Sequence, residues 1–531
     1  MSSKVLMVGI DGGTWSILKP LMEEGVMPNL RSLVEGGTWG VLDSTIPPLT
    51  PTAWTTFMTG VGPGTHGIIE FNNYDGKYGT YIVNNTSIKY KTVWELLSDM
   101  GLRVISINVP LTYPPFPVRG YMITGMLTPD TTRFTYPPSL REEILEEFGG
   151  YRILTTGKVF LLHGLDRFVD ELKETVKERA EVASYLFSTK EWDLAMVHFF
   201  SSDTIQHFAY HCLDPSHPYH DPSCRDKVLE VYRELDRAIG RVVETAEERG
   251  VSLKVFLSDH GFTGIHTTIM LNSLLLKKGW LKPRVQSLPR RLMWEALKFV
   301  RRMDVFNLNR WFLQGKTREK MISSLQVNNI DFSSSVAFSI NGWVYGNIFI
   351  NLKGRQPRGI VEEGDYHRLR EEIKGGLEEE RGIDRVLTRE EVYGETRVPS
   401  VPDLVVVPED GYTFTCSLLA DPRRVYIKHR LRTDHTGGHR IDGIWILSGE
   451  GVREGNRVNA EIKDLLPTVL WYMGLDIPAY AEGRVVKEAF EEKFSASREE
   501  RRVEMDPHRE PGKTYDEEGA MEERLHDLGY L

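Results

Sequence analysis

The sequence predicts an α/β protein in which a mostly parallel sheet is flanked by helices and interrupted by an inserted cap subdomain. Short β-rich apolar runs alternate with long amphipathic helical segments through the first 270 residues, the pattern that right-handed crossovers turn into a parallel sheet. The rhythm stops near residue 270 and resumes near residue 400, which marks an insertion rather than a second domain. Several of the apolar runs end abruptly in acid-and-histidine clusters, as buried strands do when their carboxyl ends carry the chemistry.

Residues 4–10 form a continuous apolar run ending at Asp11-Gly12-Gly13 and read as a strand buried on both faces. A helix over 18–35 and a short strand over 38–43 follow. Pro51 disfavours the α region for Thr50 and suits a first helical turn, so Thr50 reads as the N-cap of a helix over 52–58. A helix over 92–100 precedes a strand over 103–108. The unit repeats as helix 166–188, strand 193–200, helix 226–249 and strand 252–257. Residues 333–352 read as a hairpin or short strands, 362–395 as charged helix, and 403–407 and 443–447 as returning strands. From residue 487 eight basic and fourteen acidic side chains predict a solvated tail closed by a short helix at 521–528. The expected division is catalytic core at 1–269, cap or lid at 270–400, the second part of the core at 401–486, and tail at 487–531.

A chain of 531 residues, 40% hydrophobic and 26% charged, can bury a sizeable core, which excludes a disordered or fibrous protein. The net charge of −10 argues against a surface that tracks a nucleic-acid duplex. No apolar run is long enough to span a bilayer and no leader-like segment opens the sequence, so a soluble, cytoplasmic protein is expected. Only five glutamines occur, a bias shared with thermophilic proteins. The three cysteines, Cys212, Cys224 and Cys416, show no C-x-x-C spacing and allow at most one bridge, so any metal must use other ligands. Residues 282–320 carry eleven Lys/Arg against three acids. They read as an amphipathic packing helix, a cationic lid over an anionic substrate, or a contact with an anionic membrane. Gly62 to Gly67 fits G-x-G-x-x-G but follows a helix and contains Pro63, and the Gly-Lys-Thr triplets at 315–317 and 512–514 lack the earlier glycine of a P-loop.

Four clusters fall at expected strand ends. Asp203 and His207, four residues apart, share a face if the turn after Phe200 is helical; otherwise they are a solvated helix start. Asp259 and His260 end an apolar strand, where a charged pair is costly to bury without partners. Asp11 adds a carboxylate, and the segment Asp434-His435-Thr436-Gly437-Gly438-His439 adds an imidazole. Mixed carboxylate and imidazole ligands suit zinc, manganese or iron better than calcium, and two such ions about 4 Å apart suit displacement at phosphorus. Thr50, at a helix N-terminus that favours a phosphate, supplies a hydroxyl nucleophile.

The order Gly9-Ile10-Asp11-Gly12, Thr50 ahead of Thr59-Gly60-Val61-Gly62-Pro63-Gly64-Thr65-His66-Gly67-Ile68, Asp203-x-x-x-His207, Ser258-Asp259-His260-Gly261 and Gly438-His439-Arg440 resembles the alkaline phosphatase superfamily. It is most similar to the type I phosphodiesterase and nucleotide pyrophosphatase branch, over about residues 4–265 and 400–485. The resemblance implies an alkaline phosphatase-like core and hydrolysis of small phosphate esters through a phospho-threonine intermediate. It also implies two divalent ions, with zinc first and manganese or iron as alternatives. By the same resemblance Asp11, Thr50, Asp259 and His260 hold one ion, and Asp203, His207 and His439 the other, with His435 the alternative late ligand. Branch members usually carry Asn three residues after the threonine; here that residue is Ala53, which leaves the substrate open. The C-x-P-x-R and S-x-P-x-R patterns of sulfatases are absent around Thr50. A phosphotransferase, a phosphomonoesterase and a non-catalytic metal-stabilised module at an anionic membrane are the rival functions.

Overall fold

The computed structural model describes residues 3–129, 133–284, 330–418, 424–431, 434–509 and 518–528. Strand Val5–Ile10, apolar throughout, lies inside a ten-stranded sheet with every residue buried. It pairs in parallel with Leu194–Phe199 on one side and Leu253–Leu257 on the other. Val104–Ile107 and Gly120–Ile123 continue the parallel run beyond Leu194–Phe199. On the opposite flank Asp442–Gly449 runs antiparallel between Leu253–Leu257 and Thr38–Asp43. The register opposes Gly9 to His198 and to Leu257, so Asp11, Ser201 and Asp259 leave the sheet along one edge.

The crossover helices Leu165–Thr189 and Arg225–Glu248 form as the 3.6-residue spacing requires, pack on each other, and bury apolar faces that include Leu172 and Val176 in the first and Leu235 and Ile239 in the second. The expected helix over 18–35 is two helices, Trp15–Glu23 and Pro28–Glu35, separated at Gly25, whose φ of 75° no helix continues. The helix after the Pro-rich segment starts earlier than expected, spanning Thr50–Thr59 with extended Leu49 as its N-cap. Thr50 is therefore a first-turn residue and not the cap; Pro51 is tolerated there because first-turn N–H groups have no intrahelical acceptor.

Strand Gly261–Met270, which the sequence rhythm did not indicate, leaves directly from Asp259-His260 and pairs antiparallel with Gly437–Arg440. A separate antiparallel sheet joins Ala337–Phe338, Gly346–Ile350, Leu404–Pro408 and Ile383–Thr388. The strand expected over 403–407 thus sits in this smaller sheet, which draws strands from both sides of residue 400. The segment over 362–395 is not all helix: Ile383–Thr388 is a strand between helices Tyr366–Glu378 and Arg389–Tyr393. Asp403 locks this unit, fully buried and bonded by Arg355 at 2.7 and 2.5 Å, by the Tyr366 hydroxyl at 2.7 Å and by the Ile350 N–H at 2.6 Å. Burial alone would raise its pKa, but Arg355 overrides this and holds the carboxyl below the usual range.

The tail is solvated in part, since most of residues 491–509 are exposed, but its closing helix is packed. Helix Glu518–Leu528 buries Met521, Leu525 and Leu528, and Arg509 reaches Glu95 at 2.7 Å and the Asn85 carbonyl at 2.9 Å. Net charge concealed an apolar stripe with i, i+4, i+7 spacing. Cys212 and Cys224 form the one bridge that the cysteine count allows. Such bridges persist in oxidising compartments and in the cytosol of hyperthermophiles, which bears on the expected cytoplasmic location. Among the described residues no helix is long and apolar enough to cross a membrane. Most of the basic segment 282–320, from residue 285 on, lies outside the described residues.

Candidate active site

The sheet edge gathers the predicted residues into one buried centre. Asp11, Thr50, Asp203, His207, Asp259, His260 and His439 are all at most 3% exposed. Helix Ser201–Leu213 begins directly after its strand, and its first turn sets Asp203 and His207 on one face, with His207 Nε2 3.2 Å from Asp203 Oδ1. His439 Nε2 lies 3.3 Å from the same oxygen and 3.1 Å from His207 Nε2. His439 arrives on strand Gly437–Arg440, opposite Phe262, and its ring stacks on His260 with centroids 3.5 Å apart. His260 Nε2 lies 3.2 Å from Asp259 Oδ2, 3.6 Å from Asp11 Oδ1 and 3.4 Å from Thr50 Oγ1. Two compact ligand groups result, Asp203/His207/His439 and Asp11/Asp203/His260, with Asp203 common to both. Asp259 flanks the second group through His260. His435 belongs to neither; its ring packs 4.7 Å from that of His207.

The donor set fits divalent cations. Each imidazole Nδ1 faces a backbone carbonyl: His207 that of Gly437 at 3.1 Å, His439 that of Pro48 at 3.0 Å, and His260 that of Gly261 at 3.2 Å. A carbonyl only accepts, so in the neutral ring Nδ1 carries the proton and Nε2 presents a bare lone pair. Three such lone pairs converge on carboxylate oxygens, an arrangement that repels itself unless a cation sits between them. Asp11 Oδ1 and Asp259 Oδ2 are buried and receive no hydrogen bond. Burial, followed by the charges of Asp259 and Asp203, pushes the Asp11 carboxyl well above its ordinary pKa, and burial raises Asp259 as well. Burial likewise lowers His260 to about 4 and lowers His439. At Asp203 burial is outweighed by His207 and His439, which hold the carboxyl below the usual range. Bound cations would keep all three carboxylates ionised.

Sequence reasoning missed a supporting layer. His198, within strand Leu194–Phe199, places Nε2 2.8 Å from Asp11 Oδ2, and Trp54 Nε1 donates to the same oxygen at 3.3 Å. Burial and then the neighbouring Arg179 push the His198 pKa well below its ordinary value. The Gly12 N–H donates to Asp259 Oδ1 at 3.2 Å, and the Ser202 hydroxyl to the Asp11 carbonyl at 2.6 Å. An imidazole inside a buried strand was the available signal for His198, since strand interiors seldom retain one without a partner. In the glycine-rich stretch His66 is structural: the Ile68 N–H donates to its Nδ1 at 3.0 Å, and its Nε2 lies 3.0 Å from Thr56 Oγ1.

Fold and site together define an alkaline phosphatase-like α/β enzyme with its polar centre at the carboxyl edge of the central sheet. The sequence profile of the type I phosphodiesterase / nucleotide pyrophosphatase family matches residues 5–440, and the chain belongs to that family. It is a hydrolase of the phosphodiesterase/pyrophosphatase type. Among solved structures it is similar to an inactive threonine-to-alanine variant of murine ectonucleotide pyrophosphatase / phosphodiesterase 5 in complex with AMP. That match has a TM-score of 0.51 and 13% identity, covering 92% of this chain and 100% of that one. Phosphonoacetate hydrolase from Sinorhizobium meliloti 1021, in complex with phosphonoacetate, matches with a TM-score of 0.50 and 16% identity, covering 87% of this chain and 94% of that one. No curated protein matches the chain significantly by sequence.

Proposed function

We propose that the protein hydrolyses small phosphodiesters through a covalent phosphoryl group on Thr50, with two divalent ions, zinc foremost, as cofactors. The observation that carries this reading is the approach of Thr50 Oγ1 to His260 Nε2, beside Asp11 and Asp259, at the start of a ten-residue helix. Asp11, Thr50, Asp259 and His260 would hold one ion, and Asp203, His207 and His439 the other. When bound, the ions supply Lewis-acid stabilisation of the oxygens at phosphorus and lower the pKa of a coordinated hydroxyl.

The Thr50 hydroxyl gives up its proton to solvent and Oγ1 attacks phosphorus in line, its bond to phosphorus forming as the bond to the departing alkoxide breaks, and the alkoxide takes up a proton from solvent. The helix N-terminus receives the charge that develops on the phosphoryl oxygens. Water then enters from the face vacated by the alkoxide, beside Asp203, His207 and His439. The threonyl ester is cleaved and the Thr50 hydroxyl regenerated. The family and the AMP complex of the murine neighbour support a small phosphate ester as substrate.

Bis(p-nitrophenyl) phosphate hydrolysis with added zinc or manganese tests the reading. Thr50→Ala should lower kcat at least about a thousandfold, the scale on which loss of a nucleophile is felt. Equal turnover by Thr50→Ala and wild type would refute the nucleophile.

A further inference from the structure

The ring of Trp343 packs on the imidazoles of this centre although its residue belongs to the loop joining strands Ala337–Phe338 and Gly346–Ile350 of the smaller sheet. Its centroid lies 5.3 Å from that of His207, 5.4 Å from His439 and 5.6 Å from His435, nearly perpendicular to the last two. The loop is fixed from several directions. The Trp343 carbonyl accepts from the Phe414 N–H at 3.1 Å and from Thr413 Oγ1 at 2.6 Å, and its N–H bonds the buried carboxyl of Glu70. Asn347 Nδ2 reaches Glu70 Oε1 at 3.4 Å. Trp343 also packs against the apolar cluster of Leu49, Val344, Tyr345 and Val405, so it shares a cluster with the residue preceding Thr50. Unlike the carboxylates and imidazoles of the two ligand groups, which are buried, the tryptophan is only partly buried.

In-line displacement orders the space around phosphorus. With Thr50 attacking from beside His260, the departing oxygen lies on the opposite side of phosphorus, toward Asp203, His207 and His439. Trp343 stands against that pole. We propose that Trp343 is the wall of the leaving-group pocket and selects phosphodiesters whose leaving group presents a flat aromatic face; this rests on the phosphoryl-transfer reading above. The smaller sheet then sets substrate choice, while the central sheet edge, the helices that follow it and strand Gly437–Arg440 supply the reacting groups. A tryptophan held by its backbone on both sides loses little freedom on stacking, so a flat leaving group can stack on it at small entropic cost.

The test compares two diesters with the same methyl ester and different leaving groups, methyl p-nitrophenyl phosphate and methyl trifluoroethyl phosphate, on the metal-loaded full chain. Trp343→Ala should lower kcat/KM for the aryl diester about tenfold, mostly through KM, and change the trifluoroethyl diester less than about twofold. Trp343→Phe should stay within about threefold of wild type on both, because a ring still stacks. Equal losses on the two diesters would show a role in packing the histidines alone and overturn the proposal, as would an unchanged aryl rate. Should Trp343→Ala not fold, Trp343→Leu against Trp343→Phe makes the same comparison. Full activity of Thr50→Ala on either diester refutes the phosphoryl-transfer reading instead, so the two failures are separable.

Discussion

Replacing His198 with phenylalanine isolates the orientation of Asp11 from the rest of the site. Asp11 Oδ2 has two side-chain donors, His198 Nε2 at 2.8 Å and Trp54 Nε1 at 3.3 Å. With cations bound and Asp11 ionised, the shorter one is a hydrogen bond to a charged acceptor, worth about 1.5–3 kcal/mol. It holds one carboxylate oxygen so that Oδ1 faces His260, 3.6 Å away. Phenylalanine keeps a ring against Trp54, whose centroid lies 4.8 Å from that of His198, and removes only the donor. Loss of an outer hydrogen bond of this kind costs about ten- to a hundredfold in metal affinity, or roughly 1.4–2.7 kcal/mol. Competition for zinc against a chromophoric chelator measures it, with near-ultraviolet circular dichroism confirming the fold. Trp54→Phe should cost less, about threefold, because its contact is longer. The double variant should lose less than the product of the two, since both donors serve one oxygen. A folded His198→Phe protein that binds zinc within about threefold of wild type would refute the argument, because the affinity would not depend on the orientation of Asp11.

Burial pushes Glu70 up to about 8, against an ordinary value of 4.5. The folded chain then keeps a proton that the unfolded chain releases, so this residue's contribution is full below about pH 4.5 and declines as pH rises to about 8. Glu70→Gln removes that slope: its melting temperature relative to wild type should climb across this window, and parallel curves would count against the assignment. The Cys212–Cys224 bridge closes a loop at a sequence separation of 12 at the end of the helix that carries Asp203 and His207. Chain-entropy arguments put its loss at about 3 kcal/mol. Cys212→Ser should shift denaturant unfolding by that order, and an unshifted midpoint would show that the bridge does not constrain the unfolded chain.

Particular residues show how much was legible beforehand. Val5 to Ile10 could be read because burial on both faces demands an unbroken apolar run. Asp203 and His207 could be paired because four residues make one helical turn. The boundaries around Thr50 were misplaced, since the residue before a proline is only biased away from helix and Leu49 was free to cap. The packing of the C-terminal helix, itself expected at 521–528, was hidden by its charge, and strand Gly261–Met270 by the alternation of Thr, Gly and His with apolar residues.

The sequence by itself determined the inventory of the site: the three carboxylates, the nucleophile candidate, the pair His207 and His260, and two candidates for the late imidazole. Local chemistry was enough for that, because each of these residues sits beside a turn, cap or strand-end signal within a few positions of its own. Which late histidine joins the centre was decided only by the pairing of Gly437–Arg440 with Gly261–Met270, which lays His439 against His260 and leaves His435 beside His207. The positions of His198 behind Asp11 and of Trp343 over the imidazoles were also decided there. Both depend on strand register and on packing between segments more than ninety residues apart, and neither contact leaves a periodicity or spacing that a linear reading can detect.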